Sequence, residues 1–453
     1  MKKIIVPISI LAVVQFSSCK KILEVDPVEF TSDDITIVDE NSARTAVRGV
    51  YNQLASNGYY GYTFQTLGFF SGDNIQYTGS QTVNNQLTNH DVKADLSALS
   101  TAWSAIYNTI NRANHVIEKV PALTSTSTLT QAVKDQLVGE AYFIRAISYF
   151  DLARTWGGVQ LVLEPTKSAS ERPSLSRSTL EETYQQVISD LETAEGLLPA
   201  TTNRIRATRK TVWALRSRVH LYRQEWALAE TYASQLLDDV ANYALVQPYQ
   251  NFFANNSSNT SESVLELYYS TAVTNNQASQ WLPTTKGGVG WIRPTDQLVQ
   301  LLNDPGRGGN RSSLLQKQVI SGVDNWFGNL YYRADRTDPA FLIRVAEVLL
   351  NRAEARANQD KLETALTDLN KIRSRAGIPL LEETADKNEL LLAIEQERRL
   401  EFALENHRWY DLVRTNRAAA VLGITDPNKL VLPLPFRELL VDPQLVQNPG
   451  YGE

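Results

Sequence analysis

Apolar residues recur at the same helical offsets in four separate parts of the chain. Each set occupies offsets 0, 3, 7 and 10, which places its members on one face of an α-helix. The sets are Trp103, Ile106, Ile110 and Ala113; Tyr184, Val187, Leu191 and Ala194; Trp226, Ala229, Ala233 and Leu236; and Leu362, Ala365, Leu369 and Ile372. One such set fits any amphipathic helix, whereas four copies indicate that one kind of helix is used repeatedly.

Small residues precede two of these sets by a constant distance. Ser217 and Ala353 lie twelve residues before Ala229 and Ala365, where a small side chain lets a preceding antiparallel helix approach closely. This spacing is typical of tetratricopeptide-like helix pairs and predicts a mainly α fold. The predicted pairs are 41–55 with 96–119, 131–156 with 179–198, 208–223 with 225–239, and 341–358 with 361–375.

Two long stretches lack this helical pattern. Residues 56–91 and 242–339 are rich in Gly, Asn, Ser and Thr, with aromatic residues distributed among them, and only Val264–Tyr269 alternates like a short strand. Irregular segments of this length in a folded domain are usually functional. We therefore expect both stretches to form a ligand face, which the helix pairs support.

A charged helical pattern lies near the C-terminus, over Glu395–Arg414, where we predict one long helix. Its charges stand between two apolar blocks and so require buried partners on other helices. We favour an ion-pair network that fixes how helices cross, with Arg344, Glu347 and Glu354 as the partners; the alternative is a catalytic acid/base pair. The charges to be paired are Glu395, Glu397, Arg398, Arg399 and Glu401.

The same stretch is similar to the ERR-x-EF-x-x-E-x-x-R-x-x-DL-x-R signature of the SusD/RagB family, the surface glycan-binding lipoproteins of Bacteroidetes. The matching residues are Glu397, Arg398, Arg399, Glu401, Phe402, Glu405, Arg408, Asp411, Leu412 and Arg414. The segments 141–162 and 341–355 resemble the family's other signature helices, and the QNPGY ending resembles its closing segment. The two irregular stretches match nothing specific.

The N-terminus carries an export signal. Two lysines precede an apolar run of thirteen residues, which is too short to span a bilayer but fits a signal-peptide core. Cys19, the only cysteine, follows two serines and resembles the lipidation site of a bacterial lipobox; the alternative is an ordinary signal peptide with an incidental cysteine. The sequence thus predicts a signal peptide over 1–18, a lipidated tether over 19–40 and a single body over 41–453.

Composition and motifs exclude several other functions. The net charge of −6 argues against a nucleic-acid surface. The four histidines, at 90, 115, 220 and 407, share no metal-ligand spacing, and with one cysteine no thiolate zinc site is possible. Glycine-rich segments lack the lysine and helix of a phosphate loop. We expect no metal and no cofactor.

The irregular stretches offer the side chains that sugars require. Pyranose rings pack their C–H faces on flat aromatic rings, and their hydroxyls bond to amides and carboxylates. We predict one shared glycan site, although each aromatic residue taken alone is more often a seal between loop and core. The candidates are Asp73, Asn74 and Tyr77 in the first stretch and Trp281, Trp291 and Trp326 in the second.

The resemblance implies a lipoprotein of the outer membrane that faces the cell exterior. It implies capture of oligosaccharide and delivery, by lid movement, to a SusC-like TonB-dependent transporter, with no enzymatic activity. Two alternatives stay open at this point. One is a surface glycoside hydrolase that uses Asp73 and a second loop carboxylate, and the other is a helical scaffold for protein assembly.

Overall fold

In the computed structural model, residues 36–81, 84–167, 175–254, 257–382 and 386–452 are described. Cys19, the predicted signal peptide and most of the predicted tether lie outside these ranges. The helices are α1 Glu40–Leu54, α2 Thr63–Ser71, α3 Asn85–Thr88, α4 Ser97–Lys119, α5 Gln131–Trp156, α6 Leu180–Leu197, α7 Arg209–Tyr222, α8 Trp226–Leu237, α9 Gln277–Trp281, α10 Asp296–Asn303, α11 Val345–Asn358, α12 Leu362–Ala376, α13 Lys387–Glu401, α14 Arg408–Arg414, α15 Ala418–Leu422 and α16 Phe436–Val441.

The predicted helix pairs are confirmed. Helix α1 packs on α4, α5 on α6, α7 on α8 and α11 on α12, and further contacts of α4 with α5 and of α8 with α11 join neighbouring pairs. Ser217 and Ala353 are fully buried, as small residues at close helix crossings should be. Capping boxes at Thr179 and Thr208 fix where α6 and α7 begin. The fold is mainly α.

Six short strands form three antiparallel two-stranded ladders within the described ranges. Strand β2 overlaps the predicted strand Val264–Tyr269 in four residues, so a strand is confirmed there, beginning one residue earlier and ending two residues earlier than predicted. The predicted helix 341–358 begins four residues late, because its first residues pair with β2 as strand β6. The ladders join β1 Ile75–Tyr77 to β3 Ile292–Pro294, β2 Ser263–Leu267 to β6 Ala340–Arg344, and β4 Leu315–Ile320 to β5 Val323–Gly328.

The prediction that 56–91 is a loop region was wrong in part. Helix α2 lies inside it, and all nine of its residues are buried. A helix buried on every side has no polar face, so it lacks the alternation by which a surface helix is recognised in sequence. The aromatic residues of this helix belong to the core.

The single long helix predicted over Glu395–Arg414 is also wrong, because α13 ends at Glu401 and α14 begins at Arg408. If the helix continued, the carbonyl of Glu401 would accept a hydrogen bond from a backbone N–H one turn later, but side chains from distant parts of the chain bond to it instead. The carbonyl of Glu401 accepts hydrogen bonds from the Tyr249 hydroxyl at 3.1 Å and from Arg344 Nη2 at 3.2 Å. Long-range contacts therefore stop the helix where its sequence pattern continues.

Four prolines interrupt the tail over 432–451, a pattern that predicts an extended chain, and the tail contains one short helix, α16. Asn448 fixes the start of the tail, because its side-chain amide donates to the carbonyl of Leu432 at 2.7 Å and to the carbonyl of Trp156, at the end of α5, at 2.9 Å. Among the described residues, every helix falls short of the combined length and apolarity needed to cross a membrane.

Candidate functional site

A backbone ladder joins the two irregular stretches. Strand β1 belongs to 56–91, strand β3 belongs to 242–339, and the two run antiparallel. The pairing continues beyond the strand ends, where the N–H of Thr78 donates to the carbonyl of Trp291 at 2.8 Å. The predicted convergence of these stretches is confirmed.

Tyr77 and Trp291 lie side by side at the end of this ladder. Their ring centroids are 6.1 Å apart with an interplanar angle of 73°, and Phe70 supports Tyr77 from the core side at 5.6 Å. The Tyr77 hydroxyl is buried and lacks a partner among the described residues. It is covered by Gly79, where a Cβ atom would lie only 2.2 Å from it. Trp291 is half-buried, so the pair presents an indole backed by a phenol.

Trp326 lies on strand β5, which packs beside β3. It is half-buried, with Lys317 Nζ 5.9 Å above its ring. Its neighbours Asn325 and Phe327 both contact Arg293, through a hydrogen bond of 2.9 Å and a cation–π contact of 4.5 Å. Because side chains alternate along a strand, Trp326 lies on the face of β5 opposite these two residues.

Trp281 has a different environment from the other two tryptophans. It is 1% exposed, and its N–H donates to Gln277 Oε1 at 3.0 Å. Phe69 packs edge-on against it at 5.6 Å, and a Cβ on Gly328 would lie 2.4 Å from its ring. The Trp281 indole therefore fills the core beneath the two irregular stretches, and no face of it is available to a ligand in this structure.

Asp73 and Asn74 turn toward arginines of the charged C-terminal segment. The Asp73 carboxylate pairs with Arg399 at 2.8 Å and with Arg408 at 2.7 Å. Asn74 is buried; its Oδ1 accepts from Arg399 Nε at 2.9 Å, while its amide nitrogen donates to the Arg399 carbonyl at 3.2 Å. Both side chains hold strand β1 onto α13 and α14, and Asp73 is neutralised by two guanidinium groups.

The ion-pair network predicted for α13 is present and buried. Glu401 is fully buried and accepts from Arg311 at 3.0 Å, from Arg344 at 3.1 Å and from Arg375. Burial alone would raise the pKa of Glu401, but the three arginines outweigh it and lower that pKa to about 2. The carboxylate stays charged at neutral pH and has no free position for substrate.

Of the three partners predicted for α13, only Arg344 contacts it as expected. Glu347 pairs with Arg218 on α7 instead, and Glu354 pairs with Arg414 on α14. Periodicity within one helix does not show which neighbouring element lies opposite each turn, so it did not predict the partners of Glu347 and Glu354.

In the residues that the structure describes, every carboxyl group whose pKa is raised is buried. No cluster of three or more His, Cys, Asp or Glu side chains could hold a metal ion there. Burial raises the pKa of Asp338 to about 6, which is the kind of shift a general acid shows. However, Asp338 is 1% exposed and accepts from the N–H of Arg333 at 2.9 Å, so it fixes a turn.

Sequence reasoning missed two arginines of this region. Arg293 contacts both neighbours of Trp326, and desolvation lowers its pKa. Arg311, which is fully buried, bridges Glu397 and Glu401 from a glycine-rich turn. Isolated arginines in irregular sequence have no periodic pattern, so only the folded chain shows what they contact.

The chain is similar to known proteins over most of its length. A family model described as "Starch-binding associating with outer membrane" matches residues 26–221, and a model described as "SusD family" matches residues 328–451. The chain is similar to SusD-like protein P38 of Formosa agariphila, with 26% identity over 499 aligned positions that cover 96% of each protein.

Solved structures show the same fold. A SusD superfamily protein from Bacteroides vulgatus matches with a TM-score of 0.82 and 22% identity, over 91% of this chain and 99% of that one. A laminarin-binding SusD-like protein matches with a TM-score of 0.79 and 24% identity, over 92% of this chain and 100% of that one. The protein therefore belongs to the SusD/RagB family.

Proposed function

We propose that this protein binds a neutral glycan at the cell surface, with the indole of Trp291 as the main stacking platform. One observation carries the proposal: the β1–β3 ladder holds Trp291 half-exposed against Tyr77, at the junction of the two irregular stretches. Such a rigid, backed aromatic face suits the C–H face of a pyranose. Trp326 on the neighbouring strand offers a second platform.

The predicted polar partners take a different role in this proposal. Asp73 and Asn74 are engaged by Arg399 and Arg408, so they position strand β1. Trp281 is left out because it is buried. Hydrogen-bonding capacity near Trp291 comes instead from Arg293, which is half-buried two residues further along the chain and bonds to Asn325 at 2.9 Å.

The relatives support the choice of ligand class. One family model is described as starch-binding, and one structural neighbour is described as laminarin-binding. Starch and laminarin are both uncharged glucose polymers, which agrees with aromatic platforms and with an Asp73 carboxylate already neutralised by arginines. We further propose that the protein binds without turnover, since the raised-pKa Asp338 is buried away from this surface.

The proposal extends to the membrane and to a partner. Residues 1–18 act as a signal peptide, Cys19 carries the lipid, and residues 41–453 form one body held at the outer membrane. A SusC-like TonB-dependent transporter receives the glycan as this body moves like a lid. Co-purification with a SusC-like barrel from outer-membrane extracts tests the partnership, and its absence at native expression levels would refute it.

Calorimetry with laminarin and with soluble starch tests the binding surface. Trp291→Ala and Trp326→Ala should each weaken binding of the glycan by roughly 1–3 kcal/mol while the melting temperature changes little. Trp281→Ala should instead lower the melting temperature, because it opens a cavity in the core. Trp213→Ala is the matched control, since this half-buried tryptophan lies on α7 and bonds to Glu195 at 2.9 Å.

Three outcomes would count against the proposal. Unchanged glycan affinity in both platform variants would place the site elsewhere. Loss of binding only in variants that unfold would show that these aromatics serve packing. Release of shorter sugars from either polymer by the purified protein would favour the glycoside hydrolase alternative.

A further inference from the structure

A second cleft lies among the helices, away from the β1–β3 ladder. It has a volume of about 430 Å³, and its lining residues all lie outside 56–91 and 242–339. The start of α8, the end of α11, the first turns of α13 and the end of α14 enclose it. Volumes of roughly 300–1,000 Å³ are typical of small-molecule sites.

The floor of this cleft is charged but internally neutral. Arg414 pairs with Glu354 at 2.5 Å and with Asp411 at 2.8 Å, and Arg398 pairs with Asp411 at 2.9 Å. Each ion is therefore satisfied before any ligand enters. The floor contains three carboxylates and three guanidinium groups, from Glu354, Glu395, Asp411, Arg398, Arg414 and Arg417.

One wall carries an indole. Trp226 is half-buried and packs one side on a small cluster formed by Leu221, Ala229 and Ala355. In the described part of the chain, its N–H donates to no protein group. Leu392, which is 45% exposed, extends the apolar wall from α13.

The rim carries three exposed amides, from Gln224, Asn388 and Asn416. None of these side chains has a hydrogen-bond partner within the described ranges. Gln224 and Asn416 both stand in the left-handed backbone region, with φ values of 59° and 57°. Each follows the C-cap of a helix, α7 or α14, where a left-handed residue is a common way to end a helix, so the helix ends fix where these two amides lie.

We propose that this cleft is a second sugar site, which binds one or two rings of an uncharged saccharide. An indole wall and free amides match a pyranose that needs both an apolar face and hydroxyl partners. The neutral floor disfavours ions, because a charged ligand would have to break an existing buried pair. The site is independent of the surface around Trp291 and would stand even if that surface were not the main glycan site.

Fluorine NMR on the full chain, labelled with 5-fluorotryptophan, reports on both sites in one spectrum. The protein has eight tryptophans, and the variants Trp226→Phe, Trp291→Phe and Trp326→Phe assign the three signals of interest. Maltose and laminaribiose are titrated against protein in a detergent without a sugar headgroup. We expect the Trp226 signal to shift and saturate with at least one disaccharide.

The variant Asn416→Gly tests the rim without disturbing the fold, because glycine keeps the left-handed backbone and removes only the amide. The Asn416→Gly variant should raise the disaccharide concentration that half-saturates the Trp226 shift at least tenfold. Asn259→Gly is the matched control, since Asn259 also has positive φ (53°) but lies outside the cleft. Leu392→Glu, at an exposed position, gives a second variant that should abolish the response by placing an unpaired charge in the wall.

Three outcomes would overturn the inference. A Trp226 signal that neither disaccharide moves shows that the cleft is not a sugar site. A response that Asn416→Gly and Leu392→Glu leave unchanged places the sugar elsewhere. If dialanine shifts the Trp226 signal and neither disaccharide does, the cleft is a peptide site. Loss of the Trp291 and Trp326 responses alone bears only on the surface at the ladder.

Discussion

At the scale of single residues, Glu401 joins three parts of the chain. Its arginine partners come from strand β6, from α12 and from the glycine-rich turn before β4, namely Arg344, Arg375 and Arg311. Glu262 on the loop before β2 shares two of these arginines. A buried ion network of this kind contributes less to net stability than to fixing one arrangement of its elements.

Replacing Glu401 by Ala should remove one carboxylate from three buried guanidinium groups, which leaves Arg311, Arg344 and Arg375 with less negative charge than they need. We expect Glu401→Ala to lower the free energy of unfolding by roughly 3–5 kcal/mol, measured by urea denaturation, with the affinity for laminarin unchanged. Glu181→Ala is the control, because the Glu181 side chain is 63% exposed in its pair with Arg223, where about 0–1 kcal/mol is expected. A stable Glu401→Ala protein that no longer bound glycan would favour a site role for Glu401.

The same network predicts a loss of stability in acid. Although burial opposes ionisation, arginine partners lower the pKa of Glu401 and Glu347 to about 2, from an ordinary value of 4.5. A lowered folded-state pKa stabilises the protein above the unfolded-state value, and this contribution is lost as pH falls from 4.5 toward 2.

Urea unfolding at about pH 5 and about pH 3 should therefore show a marked drop in the free energy of unfolding. The drop should be smaller in Glu347→Gln, which cannot ionise at that position. If the parent protein were equally stable at both pH values, these carboxylates would not be paired as described.

At the scale of elements, hydrophobic periodicity predicted the helices whose ends depend on nearby residues. Helix α5 has the predicted bounds Gln131–Trp156, because caps and an apolar pattern are local properties. Helix α2 was missed because it is buried all round, and the break after Glu401 was missed because Tyr249 and Arg344 cause it from a distance. Long-range partners determine both features, and a single sequence does not display them.

The candidate site shows the same limit. Sequence composition favoured one shared site for 56–91 and 242–339, and the pairing of β1 with β3 shows that these stretches meet. It did not predict which aromatics face outward: Trp281 is buried, whereas Trp291 is half-exposed. A tryptophan in irregular sequence has no periodic neighbours that show its orientation, so exposure had to come from the folded chain.

The contact of α2 with α14 gives a test at this scale. Gly68 lies in α2, where an added Cβ would meet Asn406 Oδ1 at 1.9 Å and the Tyr410 ring at 3.0 Å. Gly68→Ala should therefore destabilise the protein by roughly 1–3 kcal/mol, despite the better helix propensity of alanine.

Gly196→Ala is the matched control for Gly68→Ala. Gly196 also lies within a helix, α6, but an added Cβ there meets nothing within 4 Å. This substitution should stabilise the protein by roughly 0.5–1 kcal/mol. Equal effects of the two alanines on urea denaturation would mean that α2 does not pack closely on α14.

At the scale of the whole molecule, a stack of helix pairs supports an aromatic surface built from two distant stretches of chain. The ion network around Glu401 joins the second of these stretches to the last helix pair, since Arg375 belongs to α12 and Glu262 lies beside β2. In the ranges that the structure describes, no helix has both the length and the apolarity needed to cross a membrane.

We expect Cys19 to attach the protein to the membrane through a bound lipid. It is the only thiol in the chain and follows a signal core and two serines. Lipidation adds about 0.8 kcal/mol of membrane affinity per buried CH₂, and more than one acyl chain holds a protein stably. Cys19→Ala should therefore move the protein from the membrane fraction to the soluble fraction, in cells that lack any SusC-like barrel. A membrane protein with a transmembrane helix serves as the fractionation control. If Cys19→Ala protein stayed with the membranes after washing without detergent, an anchor other than this cysteine would have to exist.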